Sequence, residues 1–410
     1  MQITPHLSQT GASSTQVELL LFAGVVAIGL LAALAQRSRV PYPIFLVLAG
    51  LALGFLPGAP DVTLDPQLIF LIFLPPLLYA ATYFASLSEL RASAQPIAAM
   101  AIGLVMVTTF AVAIVVHTMV PHMSWAVAFT LGAIVSPTDA VAATTIMSRL
   151  DVPRRVAHLV DGESLLNDGT ALVVYRLAVV AVVSGVFSIA DAGWLFAASI
   201  LGGVAVGVLA GTCIAFVRRR NHDGPTDVLL SLLSGYVAYL PAEALGVSGV
   251  LAAVTTGVWL GWRTPSIVRD PQTRLQIRAV WVNVQFVINV VLFLLVGLQL
   301  PGILRRLNAI SYGELLWWSF AISATLVVTR LLWVFPAAYL PRRALFGNVH
   351  IAGRGARGRG RWRLPLLTSW VGMRGAVTLA AALALPLHTD SGAPFPHRDL
   401  LVFLAFGSIV

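Results

Sequence analysis

The chain has 410 residues, 58% hydrophobic and only 10% charged, and its 26 basic against 17 acidic residues leave a net charge of +9. A soluble globular protein is nearer half apolar and about a quarter charged, so this composition excludes a soluble domain and marks an integral membrane protein. The basic residues are all arginine, which in such a chain collects in cytoplasmic loops rather than forming a nucleic-acid surface, and the strand alternation of a closed barrel is absent.

Thirteen apolar segments follow one another, at about 17–36, 41–58, 66–86, 95–120, 124–147, 157–187, 193–217, 226–242, 246–262, 279–300, 313–340, 365–387 and 399–410. The pattern predicts an all-α membrane protein with about thirteen transmembrane helices. Residues 1–16 lack a basic n-region and read as an extracellular segment, not a cleaved signal peptide. Residues 17–217 form the first transmembrane half (segments 1–7) and residues 226–410 the second (segments 8–13). The last segment is shorter than the roughly 17–25 residues of a spanning helix, so the chain is expected to be truncated within it at Val410. The single cysteine, Cys213, lies in an apolar run, which rules out an internal disulfide or a thiolate metal site.

Arginine placement sets the orientation. Twenty arginines fall in odd-to-even connections, seven of them between Arg342 and Arg363, and three (Arg305, Arg306, Arg398) fall on the opposite side. That bias puts the N-terminus outside and the odd-to-even loops in the cytoplasm. The loop 341–364, with its GRGARGRGRWR tract, reads as a cytoplasmic strip touching anionic headgroups. The remaining three, Arg176, Arg330 and Arg374, lie within apolar segments, and the partner of Arg176 is left open.

Two segments are interrupted. Segment 5 is broken by Ser136-Pro137-Thr138-Asp139, and segment 12 by Gly372-Met373-Arg374-Gly375. They stand seven segments apart, an odd offset that inverts topology, so segments 1–6 and 8–13 are expected to be inverted repeats. Broken helices at matching positions point to a secondary-transporter site at the midplane. His117 and His122 flank an external loop and read as interfacial histidines.

Segment 6 carries the densest polar group, VDGESLLNDGT from Val160 to Thr170. Ionisable side chains at depth usually face the bundle interior and mark ion pathways. Asp139, Glu163 and Asp168 are the acids expected there. Ser164 and Asp168 are four apart and share a helix face, as do Glu163 and Asn167. Thr138 and the carbonyls freed by Pro137 supply further oxygens. Oxygen-only ligands suit hard cations; no His or Cys cluster points to zinc, iron or copper.

Three buried acids face two buried bases able to reach them, Arg330 and Arg374. One carboxylate is then left unpaired, and desolvation makes it hold a proton until another cation replaces it. A one-site competition exposed to alternate sides is an exchanger, not an enzyme. Three other readings are weaker. Acids that merely glue helices leave the broken helices unexplained. A hydrolase using Ser164 lacks the nucleophile elbow. A passive channel would not drive uphill movement.

The motifs GESLLND (Gly162–Asp168), GAIVSPTDAVA (Gly132–Ala142) and GMRGAVTLA (Gly372–Ala380), with FLPPLLYAA (Phe73–Ala81) and LLVGLQLP (Leu294–Pro301), together resemble the monovalent cation/proton antiporter family 1. The resemblance implies Na⁺/H⁺ exchange (with Li⁺ or K⁺ as alternatives), electroneutral and one-for-one because Asn167 precedes Asp168, in pH homeostasis at the cell membrane. It implies Asp168 as the ion- and proton-binding carboxylate, helped by Ser164, Asn167, Thr138 and Asp139, with Na⁺ on Asp168, Ser164 and Thr138. Glu163 and Arg330 become a structural ion pair, and Arg374 compensates Asp139 and the helix ends at the break. The implied fold is a homodimer with a dimer domain and a moving core domain, in which segments 5 and 12 cross; no cofactor is implied. Many relatives place a further acid in segment 3 where this chain has Ala80.

Overall fold

The computed structural model describes residues 29, 42–55, 66–85, 94–139, 154–185, 189–221, 223–339, 362–370, 372 and 374–409. The expected N-terminal stretch 1–16, segment 1 apart from Gly29, residues 140–147 of segment 5, and 341–361 of the basic loop lie outside them. Among the described residues the chain is helical, without strands. In chain order the helices are α1 (Tyr42–Gly54), α2 (Pro66–Tyr83), α3 (Ala94–Ala98), a π-helical turn (Ala99–Leu104), α4 (Val105–Met119), α5 (Trp125–Val135), α6 (Arg154–Ser184) and α7 (Ile189–Arg220). There follow α8 (Gly224–Ala244), α9 (Gly249–Ile267), α10 (Pro271–Arg306), α11 (Tyr312–Tyr339), α12 (Arg363–Trp370), α13 (Ala376–Leu383) and α14 (Arg398–Gly407).

Local chemistry sets these boundaries. Ser124 begins α5 by accepting from the Val127 amide, and Ser248 begins α9 by accepting from Leu251. Asp223 caps α8 and Asp270 caps α10, each just ahead of a first-turn proline. A proline in the first turn lacks only an N–H that would have no helical partner anyway. Among the described residues, five stretches are long and apolar enough to cross a bilayer: Gln95–Met119, Gly162–Ser184, Ala197–Arg220, Pro271–Arg306 and Tyr312–Pro336. Large apolar side chains such as Leu201, Phe216, Leu229 and Leu316 stand exposed, as lipid-facing residues do. The protein is a multi-pass membrane protein.

Segment 10 was expected to begin at residue 279, yet α10 begins at Pro271. The Asp270 cap starts the helix early and puts Arg274 and Arg278 on its first turns rather than in a loop. Arg218 was likewise counted as a loop residue. It lies in the last turn of α7, 1% exposed, and donates from Nε to Asp227 Oδ1 at 2.8 Å. The short connection to the capped α8 brings the two charges together, and pairing makes their burial tolerable.

The helices sort into two packing groups. One holds α1, α2 and α7–α10; the other holds α3–α6 and α11–α14. In the first, α1 meets α10 where Gly50 and Gly297 face each other. A Cβ on Gly50 would come 2.4 Å from Leu294 O, and one on Gly297 would come 2.3 Å from Val47 O, so only glycine permits this approach. The groups meet mainly where α13 and α14 pack on α10 and α13 packs on α2.

Candidate ion-binding site

Helix α5 stops at Val135 because Pro137 has no N–H to continue it. The chain then runs non-helically through Ser136, Pro137, Thr138 and Asp139. Along segment 12, helical structure stops at Trp370 and resumes at Ala376. The two stretches meet. Arg374 donates from Nε to Val135 O at 2.8 Å and from a second nitrogen to Gly372 O, so a buried cation sits on the carbonyl end of α5. Asp139 lies directly against Gly375, the residue that begins α13: a Cβ there would be 1.7 Å from its carboxylate oxygen. An acid at a helix N-terminus and a base at a helix C-terminus are both electrostatically favoured.

Helix α6 runs past the end of α5 and supplies the other side of the site. Thr138 Oγ1 lies 3.1 Å from Ser164 Oγ and accepts from Asn167 Nδ2 at 2.8 Å. All three side chains are buried. With its amide committed to Thr138, Asn167 turns a buried carbonyl oxygen, Oδ1, that meets no donor among the described residues. Asp168 shares the Ser164 face, is partly accessible, and lies within electrostatic reach of Asp139. Among the described residues no side-chain cation bonds Asp168.

Glu163, one residue before Ser164, has its own partner. Arg330 of α11 donates Nη1 to Oε1 at 2.5 Å and Nη2 to Oε2 at 2.8 Å, and its Nε donates to Thr368 O of α12 at 3.1 Å. This fork joins α6, α11 and α12 with both side chains almost fully buried. Gly372 is pressed against the guanidinium, leaving 2.6 Å between a would-be Cβ and Arg330 Nε.

The structure thus brings together Thr138, Ser164 and Asn167 with Asp168 beside them, Asp139 with Gly375, and Glu163 with Arg330. Ala80 is fully buried in α2. Arg176, left open by the sequence, pairs with Glu243 at the far end of α8. His117 stacks on Trp125 with centroids 4.0 Å apart and bonds Met123 O, a packing role. The contacts of Gly372 and Gly375 were not foreseen; their signal was the placement of both glycines beside Arg374 in the interruption itself. No group of three or more His, Cys, Asp or Glu gathers among the described residues. Hydroxyl, amide and carboxylate oxygens are hard ligands, of the kind that suit a hard cation.

A family model described as sodium/hydrogen exchanger, transmembrane, matches residues 23–410. An uncharacterized Na⁺/H⁺ exchanger of Mycobacterium tuberculosis is 37% identical over 398 residues, covering 94% of this chain and 71% of the relative. A sodium, potassium, lithium and rubidium/H⁺ antiporter of Bacillus subtilis is 34% identical, covering 90% of this chain and 56% of its own length. The solved sodium proton antiporter MjNhaP1 of Methanocaldococcus jannaschii has the same fold, with a TM-score of 0.72 at 18% identity over 97% of this chain and 98% of that one. By sequence match over nearly its whole length, the chain belongs to the transmembrane sodium/hydrogen exchanger family.

Proposed function

We propose that this protein exchanges Na⁺ for H⁺, one for one, with both ions competing for Asp168. The observation that carries the reading is the contrast between two acids on one helix. Glu163 is held by a forked arginine, whereas Asp168 stands one turn from Ser164, which bonds Thr138, and follows Asn167, whose carbonyl oxygen has no partner among the described residues. A carboxylate with oxygen donors around it and no fixed counter-charge binds either a proton or an alkali ion. Exchanging one single positive charge for another leaves the cycle electroneutral.

Asp168, Ser164 and Thr138 are the direct Na⁺ ligands in this reading, with Asn167 and Asp139 shaping the site. Glu163 and Arg330 hold α6 to α11 and α12. Arg374 offsets the end of α5 and the nearby Asp139. The group with α3–α6 and α11–α14 is the moving core domain; α1, α2 and α7–α10 form the dimer domain of a homodimer. Alternating access is motion of the core against that scaffold, related by the inverted repeat of segments 1–6 and 8–13. The protein works in the cell membrane with its N-terminus outside and serves pH homeostasis. The basic 341–364 loop lies on anionic headgroups.

A second cargo, K⁺, is favoured by the Bacillus subtilis relative, whose name includes potassium among the cations it exchanges for H⁺. Proton flux in proteoliposomes against added Na⁺, K⁺ and Li⁺, wild type beside Asp168→Asn, tests both readings. The variant is expected to fold and to be silent with every cation. A folded Asp168→Asn protein that exchanges at the wild-type rate refutes the site.

A further inference from the structure

Among the described residues, two ion pairs cross between the helix groups on the same face of the protein. The first joins Arg176 of α6 to Glu243 of α8. The second joins Arg306 at the end of α10 to Asp399 at the start of α14, with Nε to Oδ2 at 2.9 Å and Nη2 to Oδ1 at 3.0 Å. Both lie on the side that the arginine count puts opposite the cytoplasm.

Glu243 is built into its own group. Its Oε1 accepts the Gly249 amide at 3.0 Å, at the first turn of α9, where a helix N-terminus favours an acid. Arg176 reaches it from the helix that bears Asp168. Eight residues separate Arg176 from Asp168, a rise of about 12 Å along α6. Between them Leu172 and Tyr175 are buried, and the Tyr175 ring meets Phe70 of α2 edge-on with centroids 5.9 Å apart. Outward from Asp168, the boundary between the groups is therefore closed first by an apolar contact and then by an ion pair. Side-chain exposures of 31% and 36% in one pair, and of 52% and 28% in the other, leave both wet. A solvated pair is weak enough to open and reform within a transport cycle.

We propose that Arg176–Glu243 and Arg306–Asp399 form a latch that holds the two helix groups together on the outer face, and that both must open before Asp168 can meet that side. The inference rests on the exchange reading above. These four side chains position the moving group and touch no cargo.

The test uses the full chain in proteoliposomes. Cys213 is exposed and is replaced first, Cys213→Ser, before Arg176→Cys and Glu243→Cys are added together. A direct disulfide needs Cα atoms within about 7 Å, less than two long side chains span, so a bis-methanethiosulfonate linker is used. Cross-linked carrier is expected to exchange at about a tenth or less of the uncross-linked rate, because the conformational step is blocked. A reductant restores it, and the single-headed methyl reagent leaves the rate intact. In a separate arm, Arg176→Glu and Glu243→Arg each slow exchange, and combining them restores it. Failure to cross-link, or full exchange by the cross-linked carrier, overturns the latch while the Cys213→Ser parent still exchanges. A folded Cys213→Ser parent with no exchange for any alkali cation refutes the exchange reading itself, and the latch with it.

Discussion

Replacing Gly375 by alanine tests the closest contact in the candidate site. The new methyl group would lie 1.7 Å from Asp139 Oδ2, 2.2 Å from Cγ and 2.4 Å from Cβ. To restore the 3.4 Å at which ordinary contact begins, the carboxylate must withdraw by about 1.7 Å. It cannot do so freely, because Thr138 immediately before it is buried and bonded to Ser164 and Asn167. Overpacking of this kind destabilises by about 1–3 kcal/mol. A displacement of about 1 Å in a reacting constellation lowers rates on the order of a hundredfold. The Gly375→Ala protein is therefore expected to assemble with a modestly lowered melting temperature and to exchange cations ten- to a hundredfold more slowly, by order of magnitude. Gly372→Ala meets Arg330 at 2.6 Å and should show the milder of the two defects. Gly313→Ala has nothing within 4 Å and serves as the neutral control. Initial rates of proton flux after a Na⁺ step, read beside thermal melting in detergent, separate lost positioning from lost fold. A Gly375→Ala protein that exchanges at the wild-type rate would show that Asp139 need not stand where it does.

Glu163→Gln leaves Arg330 buried without its counter-charge and is expected to destabilise by about 3–5 kcal/mol, seen as a large fall in melting temperature. Glu163→Leu combined with Arg330→Met should lose less than the two single changes together; strict additivity would argue against a coupled pair. Arg218→Met strands Asp227 in the first turn of α8, and Arg218→Lys should not rescue it, since a lysine cannot reproduce the guanidinium fork; full melting-temperature recovery by lysine would contradict the geometry. Asp270 accepts from the Thr273 hydroxyl, the Thr273 amide and the Gln272 amide, and these bonds hold its carboxyl below the usual range. A depressed carboxyl stabilises above its unfolded value and loses that contribution as pH falls through the folded one. The melting-temperature gap between wild type and Asp270→Ala should hold at neutral pH and shrink below about pH 4, and a gap independent of pH would exclude this cap.

Hydropathy and arginine placement were enough to reach a many-spanning helical protein, because a bilayer core demands long apolar runs whose backbone bonds are satisfied internally. The helix boundaries were legible within a few residues at Ser124, Asp223 and Pro137, whereas the Asp270 cap went unread and segment 10 was started eight residues late. The grouping of Ser164 with Asp168 followed from the spacing of four, since helical neighbours are set by local geometry alone.

Partner choice was not legible in this way. Arg176 and Glu243 lie 67 residues apart in the chain, and Arg374 and Val135 lie 239 apart. Nothing in hydropathy says which helices face each other. Arg218 and Asp227 are only nine residues apart, yet a count of loop charges hides them. A charge in a capped turn and a charge in a solvated loop look the same until the helices on either side are packed. The same holds for Gly372 and Gly375, whose missing Cβ atoms matter only because Arg330 and Asp139 arrive there from distant segments. Local order is written in short-range spacing and the bilayer's demand for apolar length. The pairing of buried charges is decided by long-range packing, which alone determines which acid meets which base.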